Sequence, residues 1–420
     1  MSIETMILEK ETKEKIQVLA QAEKLLESGE KKKLKIAIFV DAFFPMIDGV
    51  VMVVDNYARI LSREHEICVF CPKPNRKDYV DEFAYKVVRS KKIKIFFLDY
   101  DLAMPKFDKK FKKQIEEFAP DICHIHSPFS IGKMGVKYAK KAGVPLVATL
   151  HSQFKQDFYR ATKIKWLTNS LLASVMKVFN ACDECWTVNT GMKELYEQEY
   201  GLKVPCYIVP NATEVELTDY ATAEKRMQEM FGIQPGENMM LFVGRINALK
   251  NIYLIVDSLK IAKDKGLKFK MLYIGGGQDI ETLRKKVKEN DLGNEIIVAG
   301  RVENRDDIVL AYRRANLFLF PSWYDTNSLV QIEAASQKTA TLFIRGTKTS
   351  STVEENVSGF KCDDGAEAYA EKICEIFENK EELERISEGA HKNLYKTWEE
   401  VVQMVEQNYY NLLEKKNTNK

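Results

Sequence analysis

No run of apolar residues in this chain of 420 approaches the roughly 18 that a helix needs to cross a bilayer. The sequence therefore argues against an integral membrane protein. Residues 1–33 have a helical period and a high charge, but they contain neither an apolar core region nor a small-residue cleavage site of the kind found in secretory signals. From these absences we expect a cytoplasmic protein.

Two further absences exclude particular chemistries. The predicted first strand, residues 34–40, is followed by Asp41-Ala42-Phe43 and lacks the glycine fingerprint that dinucleotide oxidoreductases carry at this point. The chain also lacks a compelling Asp-x-Asp pair beside a strand, which could hold a divalent cation. We therefore expect no metal and no cofactor.

The eight cysteines are compatible with reduced thiols in a cytosol. The spacing of Cys68 with Cys71 and of Cys182 with Cys185 would fit a zinc site of four thiolates. However, residues three apart in a strand point to opposite faces, and the first pair lies in an apolar strand. The pattern favours ordinary buried thiols over a structural metal.

Apolar residues make up 45% of the chain and charged residues 30%, as in ordinary globular proteins, and the length favours two or three domains. Predicted strands and helices alternate from residue 34, and this pattern restarts after Asn211. Alternation of this kind predicts parallel sheets with right-handed crossovers. From residue 366 the pattern becomes continuously helical.

Charged side chains follow two apolar runs in the C-terminal half, the first ending at Val243 and the second at Phe320. These side chains are Arg245, Lys250, Asp325 and Glu333. The carboxyl ends of parallel strands share one edge of a sheet, where ligands bind. The two cations suit adjacent phosphates, whereas ionised carboxylates accept hydrogen bonds from hydroxyls. The pattern predicts a site for a diphosphate joined to a sugar.

These motifs resemble those of the retaining Leloir glycosyltransferases of family 4, which have the GT-B fold. The family signature is Gly-Arg-x4-Lys, then Pro-Ser, then Glu-x7-Glu, and this chain has Asp325 at the first carboxylate position. The resemblance covers residues 34–414, and its other motifs are residues 41–50, 121–129, 149–151, 209–211, 275–277 and 299–302. It implies two doubly wound, parallel-sheet, Rossmann-like domains that face each other across a cleft.

The resemblance also implies how the chain is divided. The expected parts are an N-terminal helical extension at 1–33, an acceptor-side domain at 34–211, a nucleotide-sugar-binding domain at 212–397, and a helix at 398–420 that returns to the first domain. Two connections between the domains would let the cleft open by a hinge.

The implied co-substrate is a nucleotide diphosphate sugar, with UDP-glucose as the leading expectation. Glu333 would contact the ribose, and the first amides of a helix starting near Asn327 would face the diphosphate. The implied donor-binding residues are Gly49, Gly244, Arg245, Lys250, Gly276, Arg301, Val302, Asp325, Thr326, Asn327, Ser328, Leu329 and Glu333. The implied catalytic residues are Asp325, Arg245, Lys250 and His151.

Candidate residues of the first domain each have an ordinary structural alternative. Gly49, in the predicted loop after the first strand, would let the diphosphate or the acceptor approach, or would form a plain turn. His151 matches the family histidine that touches the donor sugar, although a histidine at a strand end is more often structural. The implied acceptor-binding residues are Asp48, His126 and Phe129, and packing is an equally good explanation for His126.

Asp325 departs from the family pattern, because aspartate reaches about 1.5 Å less far than glutamate. In addition, Thr326-Asn327 replaces the common Phe-Gly. These departures leave the transferred sugar open, and they raise an alternative function, a GT-B module that binds a nucleotide sugar without transferring it. For an active enzyme the family implies retention of configuration. Because no residue stands out as a covalent nucleophile, we favour attack from the front face.

The first half of the chain is basic. Residues 86–165 contain 18 basic and 7 acidic side chains, with aromatic residues interleaved among the lysines. This mixture suits an anionic membrane surface on the inner face of the cell membrane, although a solvated lysine-rich face would give the same pattern. Because residues 126–129 and this basic, aromatic domain resemble those of enzymes that glucosylate diacylglycerol at membranes, diacylglycerol is the leading acceptor. A polysaccharide or cell-wall precursor is the alternative, and no nucleic acid partner is expected.

Overall fold

In the computed structural model, the described residues are 32–76, 78–93, 102–326 and 328–418. They form two α/β domains, each built on one parallel sheet. The predicted N-terminal extension lies outside the described residues apart from its last two positions. Asn327, a predicted donor-binding residue, also lies outside them.

The first domain contains a sheet of parallel strands in the order β3-β2-β1-β6-β7-β8-β9. These strands are β1 (Lys35–Phe39), β2 (Glu66–Pro72), β3 (Lys86–Ser90), β6 (Ile122–Ile125), β7 (Leu146–Leu150), β8 (Glu184–Thr187) and β9 (Cys206–Ile208). A separate antiparallel pair consists of β4 (Lys92–Ile93) and β5 (Leu102–Ala103). The helices are α1 (Gly49–Leu61), α2 (Lys109–Phe118), α3 (Ser130–Ala142), α4 (Phe154–Thr162), α5 (Lys165–Phe179) and α6 (Thr190–Glu194).

The second domain repeats this architecture with strands in the order β12-β11-β10-β13-β14-β15. These strands are β10 (Met239–Val243), β11 (Lys270–Ile274), β12 (Ile296–Gly300), β13 (Leu317–Phe320), β14 (Ala340–Ile344) and β15 (Phe360–Cys362). The helices are α7 (Tyr220–Phe231), α8 (Ile252–Asp264), α9 (Ile280–Glu289), α10 (Arg305–Arg314), α11 (Leu329–Ser336), α12 (Ala366–Glu378) and α13 (Lys380–Leu394).

The central strands are buried along their whole length because helices cover both faces of each sheet. In β6, β7, β10 and β13 every residue is buried. Alternate side chains enter the cores on opposite faces of the sheet, so that Cys68 belongs to one hydrophobic cluster and Cys71 to the other. The two cysteines therefore cannot share a metal ion, and their thiols are buried in separate cores.

A final helix, α14 (Trp398–Thr418), returns to the first domain. Its buried face, which includes Trp398, Val405 and Tyr409, packs in the same hydrophobic cluster as β1 and α1. Lys416 near its end forms an ion pair with Asp183 at 2.6 Å. Among the helices of the described ranges, none is both long and apolar enough to cross a membrane.

Strand order determines where a ligand can bind. In each sheet the chain changes direction beside its first strand, between β1 and β6 and between β10 and β13. Loops diverge from the carboxyl ends of the strands at such a point and leave a crevice between them. The crevices of the two sheets contribute to one interdomain cleft.

Candidate active site

The loop after β10 carries the two predicted phosphate-binding side chains. Gly244 has a φ of +153°, and Arg245, which follows it, is exposed. Lys250 lies at the end of a short 3-10 helix whose start is fixed by the Asp279 carboxylate, which accepts from the Ala248 amide at 2.7 Å. The loop therefore presents two cations from a fixed backbone.

The loop after β13, residues 321–326, is named here the cleft loop. Its Asp325 forms an ion pair with Lys250, and both side chains are mostly buried. The second carboxylate oxygen, Oδ2, is buried and has no hydrogen-bond partner among the described residues. Arg245, by contrast, makes no ion pair with any residue that the structure describes. Among the described residues, the site thus contains one free cation and one free carboxylate oxygen.

A cleft of about 540 Å³ between the domains brings many of the predicted residues together. Those that line it are Asp48, Gly49, His151, Arg245, Lys250, Asp325, Thr326, Ser328 and Leu329. The first three come from the first domain and the others from the second. A diphosphate and a sugar bound here would contact both domains.

The remaining predicted residues do not line this cleft. They are Gly244, Gly276, Arg301, Val302, Glu333, His126 and Phe129. Arg301 is largely exposed and forms an ion pair with Glu303 at 3.4 Å, while Val302 packs against the core of the second domain. Phe129 is partly exposed and contacts the ring of Phe154 edge to face.

Glu333, in α11, forms an ion pair with Arg305 at 2.7 Å. The glutamate is buried, whereas the arginine is largely exposed. A hydroxyl-bearing ligand at Glu333 would therefore replace or share this contact. Arg305 was not predicted, because nothing in its local pattern distinguishes it from other charged residues at a helix start.

Helix starts differ slightly from the prediction. Gly49 was predicted in a loop but is the first residue of α1, because the Asp48 carboxylate caps this helix by accepting from the Val51 amide at 2.8 Å. The helix predicted to begin near Asn327 begins at Leu329, and Ser328 makes no side-chain capping bond. The first amides of both helices have no partner within the helix, so each end favours an anion.

The three glycines at 275–277 have different surroundings. A Cβ atom at Gly275 would lie 1.9 Å from the Gly244 carbonyl oxygen, and one at Gly277 would lie 2.0 Å from the Ile246 carbonyl oxygen. These two glycines let the loops after β10 and β11 pack together. A Cβ atom at Gly276 would meet nothing within 4 Å, so only this position borders open space.

Three histidines lie together on one side of the cleft: His151 lines the cleft and is partly buried, and His124 and His126 are buried behind it. His126 Nδ1 lies 3.0 Å from His151 Nε2, and His124 is hydrogen-bonded to Tyr409 and Thr149 at 2.7 Å each. Burial lowers the pKa of His151 to about 4 and the pKa values of His124 and His126 well below 6.5. The imidazoles are therefore neutral at pH 7, and His151 can offer the cleft an uncharged hydrogen-bonding group.

Other first-domain residues contact the cleft loop and were not predicted. Gln153 Nε2 donates to the Tyr324 carbonyl oxygen at 3.0 Å, and Asn189 Nδ2 donates to the Thr326 carbonyl oxygen at 2.6 Å. Tyr324 itself donates to Asp157 at 2.7 Å. Gln153 could have been noticed, because it lies two residues after His151 at a strand end.

Comparison with known proteins gives a consistent result for both halves of the chain. The profile described as Glycosyltransferase Family 4 matches residues 47–217, and the one described as Glycosyl transferases group 1 matches residues 224–393. The curated alpha-monoglucosyldiacylglycerol synthase of Acholeplasma laidlawii is 26% identical over 318 residues, which are 72% of this chain and 78% of that protein. The synthase of the same name from Streptococcus pneumoniae (strain ATCC BAA-255 / R6) is 22% identical over 315 residues, covering 73% and 70%.

Solved structures show the same architecture. Sucrose-phosphate synthase from Thermosynechococcus elongatus superposes with a TM-score of 0.72 at 18% identity and covers 90% of this chain and 99% of its own. Anabaena Alr3699/HepE in complex with UDP superposes with a TM-score of 0.73 at 13% identity, covering 90% and 100%. Together with the two parallel sheets and the returning helix, these likenesses confirm the predicted fold class.

Proposed function

The chain is a GT-B glycosyltransferase that joins a Family 4 domain to a group 1 domain, and on this premise we propose that it transfers a hexose from a nucleotide diphosphate sugar to a hydroxyl of a lipid or glycan. The proposed donor is UDP-glucose, and the proposed outcome is retention of the anomeric configuration. The names of the two synthases support glucose as the sugar and diacylglycerol as the acceptor.

One observation carries the proposal. Arg245, Lys250 and the first amides of α11 meet Asp325 and His151 in a single cleft. Cations and helix amides suit a diphosphate, and carboxylate and neutral imidazole suit sugar hydroxyls. The proposed donor would place its diphosphate against the second domain and its sugar between Asp325 and His151.

The proposed reaction follows from these charges. The bond between the sugar C1 and the phosphate oxygen breaks, and a bond from C1 to the acceptor oxygen forms on the same face. The leaving phosphate oxygen takes the acceptor proton. Arg245, Lys250 and the helix amides stabilise the negative charge that develops on the diphosphate, so we propose that no divalent ion takes part. Turnover that is unchanged by EDTA is the expected result.

The surface of the first domain supports a lipid acceptor. Two large aromatic side chains of this domain, Phe107 and Trp166, are 69% and 71% exposed. The helix α2 carries four lysines in its first five positions, named here the lysine cluster: Lys109, Lys110, Lys112 and Lys113. Exposed aromatic rings near clustered cations suit an anionic lipid surface. We propose peripheral attachment to the inner face of the cell membrane through this domain.

A direct assay tests the proposed transfer. The purified full chain is incubated with a panel of nucleotide sugars and with vesicles that contain diacylglycerol, and the lipid product is identified by mass spectrometry and its anomeric configuration by NMR. Glucosylated diacylglycerol with the α configuration is expected from UDP-glucose. Glycan acceptors are tested in parallel with the best donor. Product of the β configuration, or no transfer to any acceptor from any donor, contradicts the proposal.

A second function is favoured by one contact. Because Lys250 and Asp325 bind each other, both charges are already neutralised without a ligand. A module that holds a nucleotide sugar without transferring it would tolerate this pairing. Titration calorimetry separates the two functions: tight binding of UDP-glucose without hydrolysis or transfer would identify the module.

A further inference from the structure

The first domain contacts the cleft loop on both sides of Asp325. We propose that these contacts position the Asp325 carboxylate, and that Gln153, Asn189 and Tyr324 are therefore positioning residues for sugar transfer. This inference rests on the proposed function, because it concerns the carboxylate that would contact the transferred sugar. Because the contacting residues belong to the first domain and the cleft loop to the second, the loop would be held in position only when the two domains are close together.

The first contact comes from Gln153, which precedes α4 at a position where a short polar side chain usually caps the helix. Gln153 is buried but makes no capping bond. Its Nε2 group instead donates to the carbonyl oxygens of Tyr324 at 3.0 Å and of Asp325 at 3.4 Å. The side chain thus binds the backbone on the N-terminal side of the carboxylate and at the carboxylate residue itself.

The second contact lies on the C-terminal side of Asp325. Asn189 Oδ1 accepts from the Met192 amide at 2.8 Å, so its Nδ2 group must be the donor to the Thr326 carbonyl oxygen at 2.6 Å. In the reverse direction, the Thr326 hydroxyl donates to the His151 carbonyl oxygen at 3.0 Å. Two hydrogen bonds therefore join the loop to the first domain, one with the first domain as donor and one with the loop as donor.

The third contact involves the Tyr324 side chain. Its hydroxyl donates to Asp157 Oδ1 at 2.7 Å and accepts from Arg160 Nη2 at 3.1 Å. The Arg160 guanidinium also lies 4.6 Å from the centre of the tyrosine ring. Asp157 and Arg160 both belong to α4 and bind each other at 3.2 Å. The ring is therefore bound on its face and at its hydroxyl by a single helix.

Positioning matters at this site because the aspartate side chain is short. It reaches about 1.5 Å less far than glutamate, so the backbone must deliver the carboxylate to the sugar. Asp325 Oδ1 is bound by Lys250, which leaves Oδ2, buried and without a partner in the described structure, to accept from a sugar hydroxyl. A misplacement of about 1 Å at such a group can cost about 100-fold in rate.

Two substitutions remove the contacts without changing the carboxylate. Gln153→Leu keeps the size of the side chain but removes its donor, and Tyr324→Phe keeps the ring but removes its hydroxyl. We expect each to lower kcat by about 10-fold or more while the KM for the donor changes by less than about threefold. Tyr253→Phe is the matched control, since the Tyr253 hydroxyl makes no hydrogen bond in the described structure.

Asp325→Glu distinguishes positioning from general damage. In the parent protein the longer side chain should fit poorly, because the first domain holds the cleft loop in place. In the Gln153→Leu background the loop is released, so Asp325→Glu should lower kcat by a smaller factor than it does in the parent, or should restore turnover. An equal decrease in kcat in both backgrounds would show that the contacts act independently of Asp325 and would overturn the inference.

Hydrogen exchange tests the inference without sugar transfer, so that its failure can be told from failure of the proposed function. We expect amides from Ser322 to Thr326 to exchange faster in Tyr324→Phe than in the parent, and at the parent rate in Tyr253→Phe. If the chain proves to bind a nucleotide sugar without transferring it, faster exchange still supports the contacts as the restraint on the loop. Unchanged exchange in Tyr324→Phe and Gln153→Leu overturns it.

Discussion

Replacement of Arg245 by alanine should separate activity from stability. The side chain is exposed in the cleft and binds no other described residue. Removing it breaks no hydrogen bond or ion pair among the described residues, so we expect the free energy of unfolding to change by less than about 0.5 kcal/mol. We expect this substitution to lower the turnover and not the stability of the protein.

The size of that loss follows from the charge that develops in the transition state. A guanidinium can donate two parallel charge-assisted hydrogen bonds to a phosphate. Removing one preorganised donor of this kind costs about 3–4 kcal/mol, which corresponds to a decrease in turnover of about 100- to 1,000-fold. Arg245→Lys keeps the charge but loses the planar fork, and we expect it to lie between the parent and the alanine variant.

Lys250→Met provides the contrast, because Lys250 is 17% exposed and is bound to Asp325. Its removal leaves both Asp325 carboxylate oxygens without a partner among the described residues, in a largely buried site. We therefore expect a loss of turnover together with a decrease of about 1–3 kcal/mol in the free energy of unfolding. Removal of Lys250 should thus lower both the turnover and the stability of the protein, whereas removal of Arg245 should lower the turnover alone.

The assays are release of the nucleotide under steady-state conditions and urea unfolding followed by tryptophan fluorescence, for the parent and all three variants. Turnover of Arg245→Ala within about threefold of the parent would show that the guanidinium does not stabilise the leaving diphosphate. A large loss of stability in the same variant would also refute the reasoning, since it requires a hydrogen bond or ion pair of Arg245 that the described residues do not make.

Three further predictions concern pH, glycine and charge. In the unfolded chain the histidines are protonated below about pH 6.5, whereas in the folded protein the pKa of His151 is about 4. The free energy of unfolding should therefore decrease as pH falls from 6.5 to 5, by up to about 1.4 kcal/mol per pH unit for each such imidazole. A free energy of unfolding that does not change over this pH range, measured by urea unfolding, contradicts this. Gly277→Ala should destabilise the protein by about 1–3 kcal/mol, whereas Gly276→Ala should leave stability unchanged, as measured by urea unfolding. Changing the lysine cluster to glutamates should weaken sedimentation with anionic vesicles, and unchanged sedimentation would leave these lysines as ordinary solvated surface.

Much of the fold could be predicted because its strands are local and continuous in the sequence. The apolar run at 240–243 predicts β10, observed at Met239–Val243, since a strand covered on both faces needs no polar residue. The same reasoning brings Arg245 and Asp325 to one sheet edge, and the structure places both in the cleft. Spacing along the chain was sufficient for these residues because strand ends leave little choice of direction.

Contacts between distant residues could not be predicted in this way. Gln153 and Tyr324 are separated by 171 positions, and Arg305 and Glu333 by 28, with no periodicity that links them. The pairing of Lys250 with Asp325 is of the same kind, since the sequence suggested a phosphate partner for one and a sugar partner for the other. Each contact depends on how two loops approach each other in space.

The sequence by itself determined the parallel sheets, the order of the two domains and the chemical character of the strand-end side chains, because burial and hydrogen-bonding capacity are properties of residues and their near neighbours. Only the tertiary structure decided which charges neutralise each other, which remain free, and that residues of the first domain bind the loop that carries Asp325. The reason is distance, because a hydrogen bond or a strong Coulomb interaction requires two atoms to lie within a few ångströms of each other. In this protein the separation of the two domains determines which pairs of atoms come that close.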